Sequence, residues 1–227
     1  MPMQIADTTM PTGFPCGKTF LLPGPTGVLE VMSACPDPSK EAPATVVICH
    51  PHPLQGGTMH NKVVHTLARS FGELGLRSVR FNFRGIGASQ GSFDRGEGET
   101  DDVLAVLAWA RAQRPRDEIW LAGFSFGGYV AAQAAHRFDD VRQLVTVAPA
   151  VHLYDFESMT LPPVPWLVIQ GDADEVVSVE AVRKWVAQRQ PSPDLVVLAG
   201  VDHFFHGRLH DLRAVVQERL AARVPPA

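Results

Sequence analysis

Cysteine is scarce. The three in 227 residues, Cys16, Cys35 and Cys49, are too few and too odd in number for a disulfide framework. None sits in a C-x-x-C pair, so a structural zinc site is not expected either. Free thiols suit a reducing compartment, and the expected location is cytoplasmic. Charge is also sparse, at 19% of residues, and acidic side chains outnumber basic ones for a net charge of −4. Without a basic excess the chain has no electrostatic footprint for nucleic acid or an anionic membrane, and neither is expected as a partner. No stretch approaches the roughly 18 apolar residues of a membrane-spanning helix. No basic segment followed by an apolar run opens the chain, so no secretory leader is expected. Internal repeats, low-complexity tracts and dividing linkers are missing too. The expectation is one domain over residues 1–227, with a loose, proline-containing N-terminal segment over residues 1–16.

What is present is a regular alternation. Lys18–Leu22 and Val28–Ser33 flank Pro23-Gly24-Pro25-Thr26-Gly27 and read as a hairpin. Short apolar runs then recur at Thr45–Cys49, Ser78–Phe83, Ile119–Ala122, Gln143–Val147, Trp166–Ile169 and Leu195–Leu198. Bounded by glycine and proline, such runs suit strands buried on both faces of a parallel sheet. Segments with helical spacing lie between them. One carries the stripe Val63, Leu67, Phe71 and Leu74; another begins at Val103 behind Glu97, Glu99, Asp101 and Asp102, acids placed to complement the helix dipole. A third is rich in alanine over residues 131–135, and the last carries Leu209, Leu212, Val216 and Leu220, with His206 and His210 in its first turns. The fold class is therefore α/β, with helices on both faces of the sheet.

The chemistry is carried by Gly123-Phe124-Ser125-Phe126-Gly127, which follows one strand and precedes the alanine-rich helix. That is the setting of a nucleophile elbow, a sharp strand-to-helix turn that lifts a serine hydroxyl above the sheet. Glycines leave room for neighbouring chain to pass, and the helix N-terminus adds positive potential. A serine hydroxyl needs a base, and the base an orienting acid, in the chain order Ser, acid, His. Gly171-Asp172-Ala173-Asp174 and Asp202-His203 both follow strand C-termini, the edge where open parallel sheets bind ligands. His203 is the candidate base; Asp174 and Asp172 are the candidate acids. The backbone N–H of Phe126 is one candidate oxyanion donor. The second should come from the loop His50–Gly57. Pro51 and Pro53 have no N–H, which leaves His52, Leu54 and Gln55.

Other features read as structural. Gly85-x-Gly87-x-x-x-Gly91 has its third glycine out of place for a dinucleotide loop and reads as a tight turn, with Arg84 fixing it. His50 and His52 read as satisfying backbone groups around a proline-stiffened loop. No H-E-x-x-H motif is present, and no metal or other cofactor is expected. Of Phe204 and Phe205, at least one should anchor the last helix. Leu153, Tyr154 and Phe156 are candidate pocket walls.

The sequence resembles the α/β-hydrolase superfamily, and within it compact bacterial serine hydrolases related to dienelactone hydrolase-like proteins. The resemblance rests on His50-Pro51-His52-Pro53-Leu54-Gln55-Gly56-Gly57, Arg80-Phe81-Asn82-Phe83-Arg84-Gly85-Ile86-Gly87-Ala88-Ser89-Gln90-Gly91, Gly123–Gly128 and Asp202-His203-Phe204-Phe205-His206-Gly207. It implies a mostly parallel eight-stranded sheet with an antiparallel second strand and no sizeable cap. The superfamily spacing Gly-x-x-Asp-x-x-Val falls on Gly171, Asp174 and Val177 and favours Asp174. Aligning Gly56 with the family's loop glycine selects Leu54 as the second oxyanion donor. The implied activity is hydrolysis of a small-molecule carboxylic ester, with short acyl groups favoured. A peptidase, thioesterase or perhydrolase could use the same triad, and a binding protein could use the same fold without catalysis.

Overall fold

The structure is a computed structural model, and it describes residues 13–226. Residues 1–12 of the segment expected to be loose lie outside the described residues.

The hairpin forms from β1 (Thr19–Gly24) and β2 (Gly27–Ala34), paired antiparallel. It is followed by β3 (Ala44–Cys49), α1 (Lys62–Glu73), β4 (Arg77–Phe81), α2 (Glu97–Gln113) and β5 (Glu118–Phe124). The second half adds α3 (Phe126–Arg137), β6 (Val141–Val147), β7 (Trp166–Gly171), α4 (Val179–Ala187), β8 (Asp194–Leu198) and α5 (Leu209–Leu220). The eight strands make one sheet in the order β1-β2-β4-β3-β5-β6-β7-β8. Only pairings that involve β1 or β2 are antiparallel; β4 through β8 run parallel.

Burial explains this arrangement. Every residue of β3, β4 and β7 is buried, as expected for strands covered on both faces. On one face, α1 and α5 pack Leu67, Phe71, Leu212 and Val216 into one cluster with the sheet, where Phe71 meets Trp120 edge-on, their centroids 6.2 Å apart. On the other face lie α2, α3 and α4, with Val106, Trp109, Val130 and Trp185. Ala131, Ala132, Ala134 and Ala135 are all buried, and their small side chains let α3 lie close to the sheet behind the serine. Two helices start at a side-chain cap: for α1, Asn61 accepts from the Val63 N–H, and for α4, Ser178 accepts from the Ala181 N–H.

The cysteine expectation is corrected. Cys16 and Cys35 form a disulfide, and Cys49 is buried and free. Counting cysteines overlooks strand register. The hairpin pairs Thr19 with Met32, and Gly17 N–H bonds the Ser33 carbonyl, so the same register carried outward sets position 16 opposite position 35.

A second correction concerns the acids before Val103. Glu97 and Glu99 do occupy the first turn of α2, and Glu99 accepts from the Gly96 and Asp94 N–H groups. Asp102 instead lies buried and takes a bidentate grip from Arg84 at 2.8 and 3.0 Å. Arg84 thereby fixes the glycine turn, as the sequence reading held. Gly85 N–H closes that turn on the Gln90 carbonyl at 3.3 Å.

Among the described residues, no helix is long and apolar enough to cross a membrane.

Candidate active site

The chain switches direction between β3 and β5. From β3 it moves to one side of the sheet and from β5 to the other, so the loops after these strands part and open a crevice. Ser125 sits there, between the end of β5 and the first residue of α3. Its backbone holds φ 56° and ψ −119°, a region L-residues avoid. The turn is locked by Ser125 N–H on the Val147 carbonyl and Gly128 N–H on the Ser125 carbonyl, both at 2.9 Å. The flanking glycines are steric necessities. A Cβ on Gly123 would overlap the Gly127 carbonyl, and one on Gly127 would overlap the His50 carbonyl.

The loops after β7 and β8 bring the other two groups to the serine. His203 Nε2 lies 3.2 Å from Ser125 Oγ, and His203 Nδ1 lies 2.8 Å from Asp174 Oδ2. With Nδ1–H donated to the carboxylate, Nε2 carries the lone pair that faces the hydroxyl. The Asp174 side chain is wholly buried and also accepts from Gln170 Nε2 and from the Val176 and Val177 N–H groups, which holds it in place. Asp172, the rival acid, caps the neighbouring loop by accepting from Gly200 N–H at 2.6 Å. The His203 ring is gripped by Phe124, centroids 5.1 Å apart, and by Phe204 edge-on at 5.0 Å.

Two of the three candidate loop amides are already engaged. Leu54 N–H already donates to His52 Nδ1 at 3.1 Å, and Gln55 N–H to the His52 carbonyl at 3.1 Å. His52 caps the single helical turn Pro53–Gln55 with its own ring, and that consumes the two amides. Of those three candidates, the His52 N–H is the one for which the described residues supply no acceptor. His52 and Phe126 both line the cavity beside Ser125. Burial pushes the His52 ring below its ordinary value, against the pull of Glu99, and so favours the neutral form that can accept from Leu54. The alignment on Gly56 that selects Leu54 counts positions and does not register the ring nitrogen that takes up its amide.

His50 is the loop's other histidine. Its Nε2 accepts from Phe83 N–H at 3.0 Å and its Nδ1 donates to the Pro51 carbonyl at 2.7 Å. Burial lowers its value to about 4. Both histidines therefore serve the backbone, as the sequence reading held.

The cavity above Ser125 measures about 280 Å³ and is walled by His52, Phe126, Leu153, Tyr154, His203 and Phe204. Phe156, a candidate wall, is instead fully buried between Tyr129 and Trp185. Phe205 is the fully buried anchor and Phe204 the exposed wall. His206 precedes α5 rather than lying in it; Asp202 holds it through both its N–H and its ring. Among the described residues, no group of three or more His, Cys, Asp and Glu side chains gathers as metal ligands would.

Fold and site together define the alpha/beta serine hydrolase class. A sequence profile described as alpha/beta hydrolase fold matches residues 44–163. A serine hydrolase without a lid from Xanthomonas campestris superposes with a TM-score of 0.91 at 46% identity, over 95% of this chain and 99% of that one. An alpha-beta serine hydrolase homologue from Coxiella burnetii gives a TM-score of 0.88 at 50% identity, over 91% of this chain and 99% of that one. A protein of Rickettsia prowazekii (strain Madrid E), described as uncharacterized, is 35% identical over 87% of this chain and 86% of its own length. The chain belongs to the alpha/beta hydrolase fold family. Among the described residues, no large cap domain covers the cavity.

Proposed function

We propose that the protein hydrolyses carboxylic esters through an acyl-enzyme on Ser125. The observation that carries this reading is the relay of Ser125 Oγ, His203 and Asp174, at 3.2 and 2.8 Å, opening into a cavity of about 280 Å³. Ser125 Oγ attacks the ester carbonyl carbon while His203 Nε2 takes its proton. The carbonyl oxygen gathers negative charge, which the Phe126 and His52 N–H groups receive. His203 returns the proton to the leaving alcohol, and the carbon–oxygen bond breaks. Water then attacks the acyl-enzyme with His203 again as base, releasing the acid and restoring the serine. Asp174 fixes the imidazole tautomer and stabilises the imidazolium throughout.

Short acyl groups suit a cavity of this size. The large hydrophobic side chains that the described residues expose are Leu54, Leu153, Val176 and Phe204. The last three line the catalytic cavity, and Leu54 belongs to the His52 loop that borders it. This clustering supports a substrate with apolar substituents. The test is a serine-directed fluorophosphonate probe. Labelling of the native chain that disappears in Ser125→Ala, with hydrolysis of a short-chain activated ester lost in parallel, is the expected result. Folded native protein that takes no label would overturn the reading.

A further inference from the structure

Three arginines are buried along the strands and turns near the hairpin: Arg77, Arg80 and Arg84. Two have carboxylate partners. Arg77 pairs with Asp117 at 2.8 Å and with Glu41, and Arg84 grips Asp102. Arg80 is only 8% exposed and has none among the described residues. Its Nη1 donates to the Met59 carbonyl at 3.1 Å, and its Nη2 rests on the Met32 sulfur at 3.0 Å. A thioether is a weak acceptor, so much of this buried charge goes unanswered. Arg80 belongs to one of the segments that carry the family resemblance, yet no step at Ser125 uses it.

The guanidinium lines a cavity of about 430 Å³ between α1 and the β2–β4 side of the sheet. This cavity shares no lining residue with the catalytic one. Ser78, two residues before Arg80 on β4, faces it as well, and Lys40 stands at its mouth without a salt bridge among the described residues. The two acids that line it are already engaged. Glu73 is held by Arg69 at 3.2 Å and Arg213 at 2.6 Å, and Asp37 accepts from the Ser39 N–H and hydroxyl. His65, on the same wall, reports the field: burial and the charges of Arg80, Arg69 and His60 push its ring below the ordinary value. Ala68, Gly72 and Leu76 supply an apolar surface beside the charged floor.

We propose that this second cavity binds a small organic anion, with its phosphate or carboxylate group on the Arg80 guanidinium and Ser78 and Lys40 as further donors. An oxyanion matches the planar N–H fork of arginine and supplies the counter-charge that the protein withholds. The volume leaves room for an organic body against the apolar wall.

The test titrates the full chain with sodium phosphate and, separately, sodium acetate, at ionic strength held constant with sodium chloride, and follows thermal unfolding. A saturable rise in melting temperature with at least one of the two anions is expected, and whichever acts assigns the site to phosphates or to carboxylates. Arg80→Met should abolish the rise, and Lys40→Ala should weaken the apparent affinity several-fold. Labelling of Arg80→Met by the fluorophosphonate probe shows that the variant is folded. If it does not fold, Lys40→Ala combined with Ser78→Ala carries the test. Anion responses no larger than that of chloride, or an unchanged response in a folded Arg80→Met or in the double variant, would mean adventitious ions only and overturn the proposal.

Discussion

Two histidines, His50 and His203, are buried, and they are held in opposite ways. Each is almost sealed from solvent, and each has both ring nitrogens engaged. For His50 the partners are two backbone groups, the Pro51 carbonyl and the Phe83 N–H, and nothing about the ring can change without breaking the loop. For His203 the partners are a carboxylate and a hydroxyl that faces an open cavity. The first arrangement locks one neutral tautomer. In the proposed reaction, the second would let the serine proton move to Nε2, with the Asp174 carboxylate behind the ring. Burial alone does not make a histidine catalytic; a partner that reacts does.

This contrast can be broken by substitution. His203→Ala should lower hydrolysis of a short-chain activated ester by about 10⁴-fold or more, with little change in thermal stability. His50→Ala should show the reverse emphasis. It strands the buried Phe83 N–H and opens a void, so stability falls by about 1–3 kcal/mol in urea unfolding, while a folded fraction keeps labelling at Ser125. Equal losses of activity in both would erase the distinction.

The two loop aspartates extend the comparison. Asp174→Asn leaves an amide beside His203 Nδ1 and favours the wrong tautomer, so kcat should drop by about 10⁴-fold. Asp172→Asn keeps an acceptor for Gly200 N–H and should stay within a few-fold of the native rate, since only loop capping is involved. Steady-state kinetics on the same ester decides between them.

A further expected effect, confined to His50, concerns acid. The unfolded chain protonates His50 below about pH 6.5, whereas the folded chain resists until about 4. The contribution is therefore complete above about pH 6.5 and is lost as pH falls toward 4, a decline of about 3 kcal/mol. Urea midpoints across that window should fall less steeply in His50→Gln than in the native chain.

Much of this was legible in advance, for identifiable reasons. Central strands such as Thr45–Cys49 announce themselves because burial on both faces demands unbroken apolar runs. That Ser125, His203 and Asp174 would meet was readable because strand ends and glycine spacing place them on one edge. What escaped depends on contacts that spacing does not encode. The Leu54 amide is consumed by a ring two residues away. Asp102 answers an arginine eighteen residues earlier in the chain, rather than its own helix dipole. The disulfide needs the register of the hairpin, which becomes visible only when Thr19 is set opposite Met32.

The backbone at Ser125 has one more consequence. A residue bearing a Cβ is held there at φ 56°, which costs about 1–3 kcal/mol. Glycine would relax that turn, so Ser125→Gly should raise the unfolding midpoint. On the proposed reading, the hydroxyl is kept at the expense of a more comfortable fold.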